Sequence, residues 1–202
     1  MKTTSIMLNS YIISIPGFIM LLKIERIIDR FSDITGWIAA ALMLLMLLNV
    51  FYDSIMRYFF RTGSIAMQEM EWHIFAVVFL FGISYALKEE GHVRVDVFYD
   101  NFSPKLKAIV NIGGVFLFLV PLSGLIINGS VWFVHEAYTM HEISGDPGGL
   151  THRYLIKAVI PLAFIFLIIS ATGFVLRNVR VLRGIKADGS NKDATAQKEM
   201  TP

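Results

Sequence analysis

Apolar residues fill four long blocks of this chain, roughly Thr35 to Phe60, Glu71 to Leu87, Ala108 to Val134 and Tyr154 to Leu176, with polar residues gathered between them. A helix needs about 20 mostly apolar residues to cover ~30 Å of hydrocarbon, so the pattern predicts four membrane-spanning helices, the second being the shortest. A different pattern precedes the first block. Leu21, Ile24, Ile27, Ile28 and Phe31 recur at helical spacing, with Lys23, Glu25, Arg26, Asp29 and Arg30 between them. That amphipathic period predicts an interfacial helix on the membrane surface, with a solvated helix packed on a partner as the competing reading. A second interfacial element is expected near Ser103-Pro104, where serine before proline suits a helix start. The fold class is therefore all-α integral membrane: four transmembrane helices plus one or two interfacial amphipathic helices. It divides into an N-terminal segment (1–34), a four-helix membrane domain (35–183) and a polar, disordered tail (184–202). The apolar stretch Ser5 to Leu22, interrupted by Pro16 and Gly17, reads as interfacial ahead of a leader or a fifth span.

Charge orients the helices. Fourteen of the eighteen Lys and Arg residues lie before block one, between blocks two and three, or after block four; only Arg57, Arg61, Arg153 and Lys157 fall on the other side. Cytoplasmic loops retain basic residues, so both termini are expected in the cytoplasm, with the connections 61–70 and 135–153 facing out. A mean hydropathy of +0.60 agrees with a membrane protein, and the basic residues face lipid headgroups, with no cluster suited to nucleic acid. The absence of cysteine excludes disulfides and thiolate chemistry, and the short loops leave no room for a soluble catalytic domain.

Few residues suggest chemistry. Asn49, Asp53 and Arg57 are spaced four apart on one helix face. Measured from Trp37, Asp53 lies about 24 Å and Arg57 about 30 Å along the helix, near the outer interface and level with Glu69 and Glu71. An Arg57 pair with Glu71 or Glu69 joining spans one and two is the favoured reading, against simple snorkelling of Arg57. The middles of spans two, three and four carry no acidic residue, which argues against translocation by this chain alone. Small residues in span two (Gly82, Ser84, Ala86) and span three (Gly113, Gly114, Ser123, Gly124, Gly129, Ser130) would let helices approach closely, within the chain or against a partner. Pro121 and Pro161 are expected to kink their spans. His73 and His135 fall near outer helix ends, where a haem held by two imidazoles is the alternative reading, that of an electron-transfer subunit. His135-Glu136 and His141-Glu142 lack the helical spacing of a zinc protease, and no cofactor or metal is expected.

Longer motifs add a family resemblance. Arg57-Tyr-Phe-Phe60 closes span one; Glu71-Trp-His-Ile-Phe75 opens span two. Phe81-Gly-Ile-Ser-Tyr-Ala-Leu-Lys-Glu-Glu90 leads into Gly91-His-Val-Arg-Val-Asp96, and Leu155-Ile-Lys-Ala158 with Ile160-Pro-Leu162 opens span four. In this order the motifs resemble the small membrane subunit of tripartite ATP-independent periplasmic (TRAP) transporters, over most of residues 20–180. The resemblance implies a non-catalytic bacterial inner-membrane protein partnered by a large twelve-span permease and a periplasmic substrate-binding protein. In that family uptake of an organic acid is driven by a sodium gradient, and the small subunit extends the fixed scaffold. On this basis the outer connection, through Glu136, Glu142, Asp146 and Arg153, is a candidate to receive the binding protein, against the plainer reading of a connector. His92, Arg94 and Asp96 are expected to hold the inner connection at the headgroup level by hydrogen bonds.

Overall fold

The computed structural model describes residues 16–89, 91, 99 and 102–184, with side-chain surroundings from Met20 onward; among these, all regular structure is helical. Helix α1 spans Pro16–Phe59 and α2 Ile65–Lys88. Helix α3, Pro104–Thr139, contains a π-helical turn at Val115–Leu119, and α4 spans Tyr154–Leu182. All four are long and apolar enough to cross a membrane. The motif from Gly91 to Asp96 lies outside the described residues beyond Gly91, as do 1–15 and the tail after Gly184.

Local chemistry explains the helix limits. Ser103 caps α3 by accepting a hydrogen bond on its Oγ from Leu106 N at 3.3 Å, with Pro104 in the first turn, as the sequence suggests. Pro121 has no N–H for the preceding turn, and the widened turn at Val115–Leu119 directly precedes it. Helix α4 continues through Pro161 without a break.

No break separates the amphipathic segment from span one. The 44 residues of α1 form one helix, about 66 Å long at ~1.5 Å per residue, so the segment is an extension of span one, where a separate surface helix was expected. Its faces are also distributed differently. Glu25, Ser32 and Thr35 are buried, whereas Met20, Ile27 and Ile34 point outward. Ile24, Ile28 and Phe31 are half-buried beside them and Lys23, Arg26 and Arg30 are exposed, so the packed face of this segment combines small polar and apolar side chains, as contacts between membrane helices do.

Helix α4 is the hub. It packs against α1, α2 and α3, while α1 also packs along α2; α2 and α3 are not packed on each other. Leu87, Val115, Leu167, Ala171 and Phe174 form the apolar core, with Phe31 edge-on to Phe166 at 4.9 Å between ring centroids. Two glycines permit close approaches between helices. A Cβ at Gly173 would lie 2.7 Å from Ile28 Cγ2, and one at Gly36 would lie 2.6 Å from the Tyr85 ring. Among the described residues, the glycines expected to serve packing within the chain do not: a Cβ at Gly82, Gly113, Gly114, Gly124 or Gly129 meets nothing within 4 Å. Ser84, Ser123 and Ser130, by contrast, are buried.

Candidate functional site

Polar contacts are concentrated at the two ends of the bundle. At the end bearing the α1–α2 and α3–α4 connections, Asn49 donates from Nδ2 to the carbonyl of Met67 at 3.0 Å, tying α1 to the first turn of α2. Buried Asp53 pairs with Arg57 one turn later on the same helix. Glu69, also buried, accepts hydrogen bonds from the Ser144 hydroxyl and from Leu150 N. The expected Arg57 pair with Glu69 or Glu71 is therefore not formed. Arg57 finds a carboxylate at i−4 on its own face, and Glu69 is satisfied by a hydroxyl and a backbone N–H, without ordering a second long side chain. Glu71 makes no ion pair among the described residues and sits half-exposed.

Glu69 thus clamps the connection between α3 and α4. That connection is itself closed by Ser144 N to Leu150 O at 3.0 Å, Gly149 N to Asp146 O at 3.0 Å and Arg153 N to Glu142 O at 3.2 Å. Gly149 fits against the clamp, because a Cβ there would lie 2.8 Å from Glu69 Oε2. Of the four residues considered for docking, two are engaged internally: Glu142 pairs with Lys157 and lies 3.8 Å from Arg153 Nε. Asp146 is exposed at the loop tip, and Glu136 is half-exposed on α3. The loop brings Glu142 and Arg153 together, and leaves Asp146 and Glu136 apart from that pair.

At the opposite end, Lys88 pairs with Asp33 and, at 3.3 Å, with Glu89; Arg177 donates to the carbonyl of Lys88 at 2.9 Å. Arg180 meets Glu25 at 3.1 Å, and the hydroxyls of Ser32 and Ser170 lie 2.8 Å apart. A relay joins the inner connection to the hub: Tyr99 donates to Asn111 Oδ1 at 3.1 Å, Asn111 to Asn178 Oδ1 at 2.9 Å, and Asn178 to Phe174 O at 2.8 Å. Sequence reasoning missed Asn111, Asn178, Ser32 and Ser170. Their signal was a lone polar side chain close to the charged end of an apolar run, a position where it has to find a partner. His92, Arg94 and Asp96 lie outside the described residues.

The histidines do not form a haem site. His73 turns Nδ1 to the carbonyl of Glu69 on its own helix at 2.6 Å, while His135 is exposed on α3, a helix that does not pack against α2. Among the described residues no three His, Asp or Glu side chains converge as metal ligands. What these two networks do is hold four helices and one loop in a fixed relation.

Comparison with known proteins supplies the context for that arrangement. Residues 46–181 match the family described as the DctQ component of tripartite ATP-independent periplasmic transporters. Two Haemophilus influenzae proteins that carry the name TRAP transporter small permease protein are similar to the chain. One is 22% identical over 147 residues, covering 73% of this chain and 86% of that protein. The other is 27% identical over 161 residues, covering 78% of this chain and 98% of that protein. Because the family match runs from within α1 to the last turn of α4 and covers two thirds of the chain, the chain belongs to the DctQ component family of TRAP transporters.

Proposed function

We propose that this chain is the static small permease subunit of a secondary uptake system, bracing a large twelve-span permease that carries the moving parts. One observation carries the reading: charged side chains are confined to the helix ends, where several are paired, and no Asp, Glu, Lys or Arg occurs in 34–52, 72–87, 108–134 or 158–176. A chain that moved an ion or an acid by itself would need polar groups along a mid-membrane path. The family's mode of action supports uptake of an organic acid, driven by a sodium gradient and delivered by a periplasmic binding protein. In this reading the protein sits in the bacterial inner membrane with both termini cytoplasmic, as its basic residues favour. The Glu69-clamped loop then faces the periplasm, where Asp146 at its tip, with Glu136 nearby on α3, meets the binding protein. Glu142 and Arg153 shape that loop from within. His92, Arg94 and Asp96 hold the inner connection by hydrogen bonds at the headgroup level.

Proteoliposome flux tests the assignment. The chain alone should give no solute uptake under any ion gradient, and uptake should require the large permease, the binding protein and inward sodium together. Solute flux through the chain alone would refute the scaffold role.

A further inference from the structure

Because α2 and α3 are not packed along each other, the hub helix α4 is uncovered between them near the loop end, and a groove of about 430 Å³ opens there onto the membrane side. Trp72, Ala76 and Leu80 of α2 form one wall and Phe133 of α3 the other, over a floor of Ile156 and Ile160. From Arg153 to Ile160 the groove follows α4 for about 10 Å, at ~1.5 Å per residue. Two cations, Arg153 and Lys157, stand at its mouth.

These cations are not equally satisfied. Lys157 pairs with Glu142 and lies over the Phe133 ring at 3.9 Å. The Arg153 guanidinium makes no hydrogen bond among the described residues: Glu142 Oε1 is 3.8 Å from its Nε, and the Trp72 ring lies 5.6 Å from its Cζ. Glu142 lies between the two cations, and the Glu69 carboxylate is close enough to feel Arg153 as well, so the pull on an anion comes from the unfilled N–H groups of the guanidinium and not from a surplus of charge, while the two cations disfavour a headgroup that carries its own ammonium. A guanidinium fork without an acceptor at headgroup level matches a phosphate, which it can bind through two N–H groups.

We propose that this groove binds one phospholipid of net negative charge in the leaflet at the loop end, with its phosphate on Arg153 and an acyl chain lying along Ile156 and Ile160. The lining selects this occupant over a partner helix. Close helix docking needs small residues, and Ala76 is the single small side chain here among aromatic and branched ones. A partner helix would also have to bring its own carboxylate to Arg153, whereas a headgroup carries its phosphate at the depth where Arg153 stands. The bound lipid would fill the gap between α2 and α3 and complete the bundle surface.

Native mass spectrometry of the full chain in mild detergent, titrated with phosphatidylglycerol or phosphatidylcholine, tests this. Wild type should retain one phosphatidylglycerol in preference to phosphatidylcholine. Arg153→Gln should weaken that binding roughly tenfold or more, the ratio expected for one charge-assisted hydrogen bond. Ala76→Phe, which fills the groove and leaves both cations in place, should lower occupancy to a similar degree. Arg183→Gln, at the opposite end, should leave it unchanged. Equal retention of the two lipids, or wild-type binding by folded Ala76→Phe, would overturn the proposal. So would a photo-crosslinker at Leu80 in the assembled complex that captures protein in place of lipid.

Discussion

Replacing Gly173 with alanine should loosen the contact between α1 and α4. The added Cβ would lie 2.7 Å from Ile28 Cγ2 and 3.3 Å from Ile28 Cβ, against 3.4–4 Å for ordinary contact, so the helices must part by roughly 0.7 Å or Ile28 must turn. Ile28 is β-branched and stiff about χ1 in a helix, so it cannot easily move its Cγ2 aside. Inserting a methyl into a packed contact of this kind costs about 1–3 kcal/mol. Separation would also stretch the nearby Ser32 to Ser170 hydroxyl contact, now 2.8 Å, and the Arg180 to Glu25 pair, now 3.1 Å. The assay is reversible unfolding in mixed micelles followed by helicity, on G173A, I28A and the double variant. Removing Cγ2 with I28A should make the alanine at 173 tolerable, so the double variant should be more stable than the two single losses predict, by about 1 kcal/mol. A neutral G173A, or strictly additive losses, would refute the close-packing argument.

Three further outcomes follow from the two networks. Glu69→Ala should release the α3–α4 connection, raising the mobility of a spin label at position 146 and lowering binding-protein-dependent uptake while the membrane complex still assembles; an unchanged label spectrum would contradict the clamp. Asn178→Ala breaks the relay from Tyr99 and should cost about 0.6 kcal/mol and no more than about 1.7, the span measured for hydrogen bonds between membrane helices, in the same micelle assay. Since the chain has no native cysteine, Gly145→Cys can be labelled alone: an impermeant thiol reagent should reach it from the periplasm in intact cells, and labelling only after lysis would reverse the orientation.

Hydropathy alone was enough to count the helices and to place their apolar middles, because lipid imposes a length on each span that appears directly in the sequence. The helix ends were less legible. Span one appeared to begin at Thr35 because Lys23 to Asp33 break the apolar run, yet α1 continues back to Pro16. Two of those charges, Glu25 and Asp33, are met by Arg180 and Lys88, partners far along the chain that no local pattern reveals. Span two appeared short for a related reason: Met67 to Met70 are helical but mixed in polarity, so hydropathy missed a first turn that holds Glu69 and the Met67 carbonyl. Glu69 was recognised as a candidate linking residue, but its real partners, Ser144 and Leu150, come from a loop whose closure depends on backbone hydrogen bonds. The glycines of α3 misled in the opposite direction. Their spacing suits close packing, but only the fold reveals that no described helix of this chain lies against them.

The claim that this protein is one fixed component of a larger permease is tested most directly by affinity capture from native membranes under mild detergent. The account predicts that a much larger multi-span membrane protein is recovered with the tagged chain in a defined ratio. Recovery of the chain by itself, from membranes in which transport is active, would contradict it.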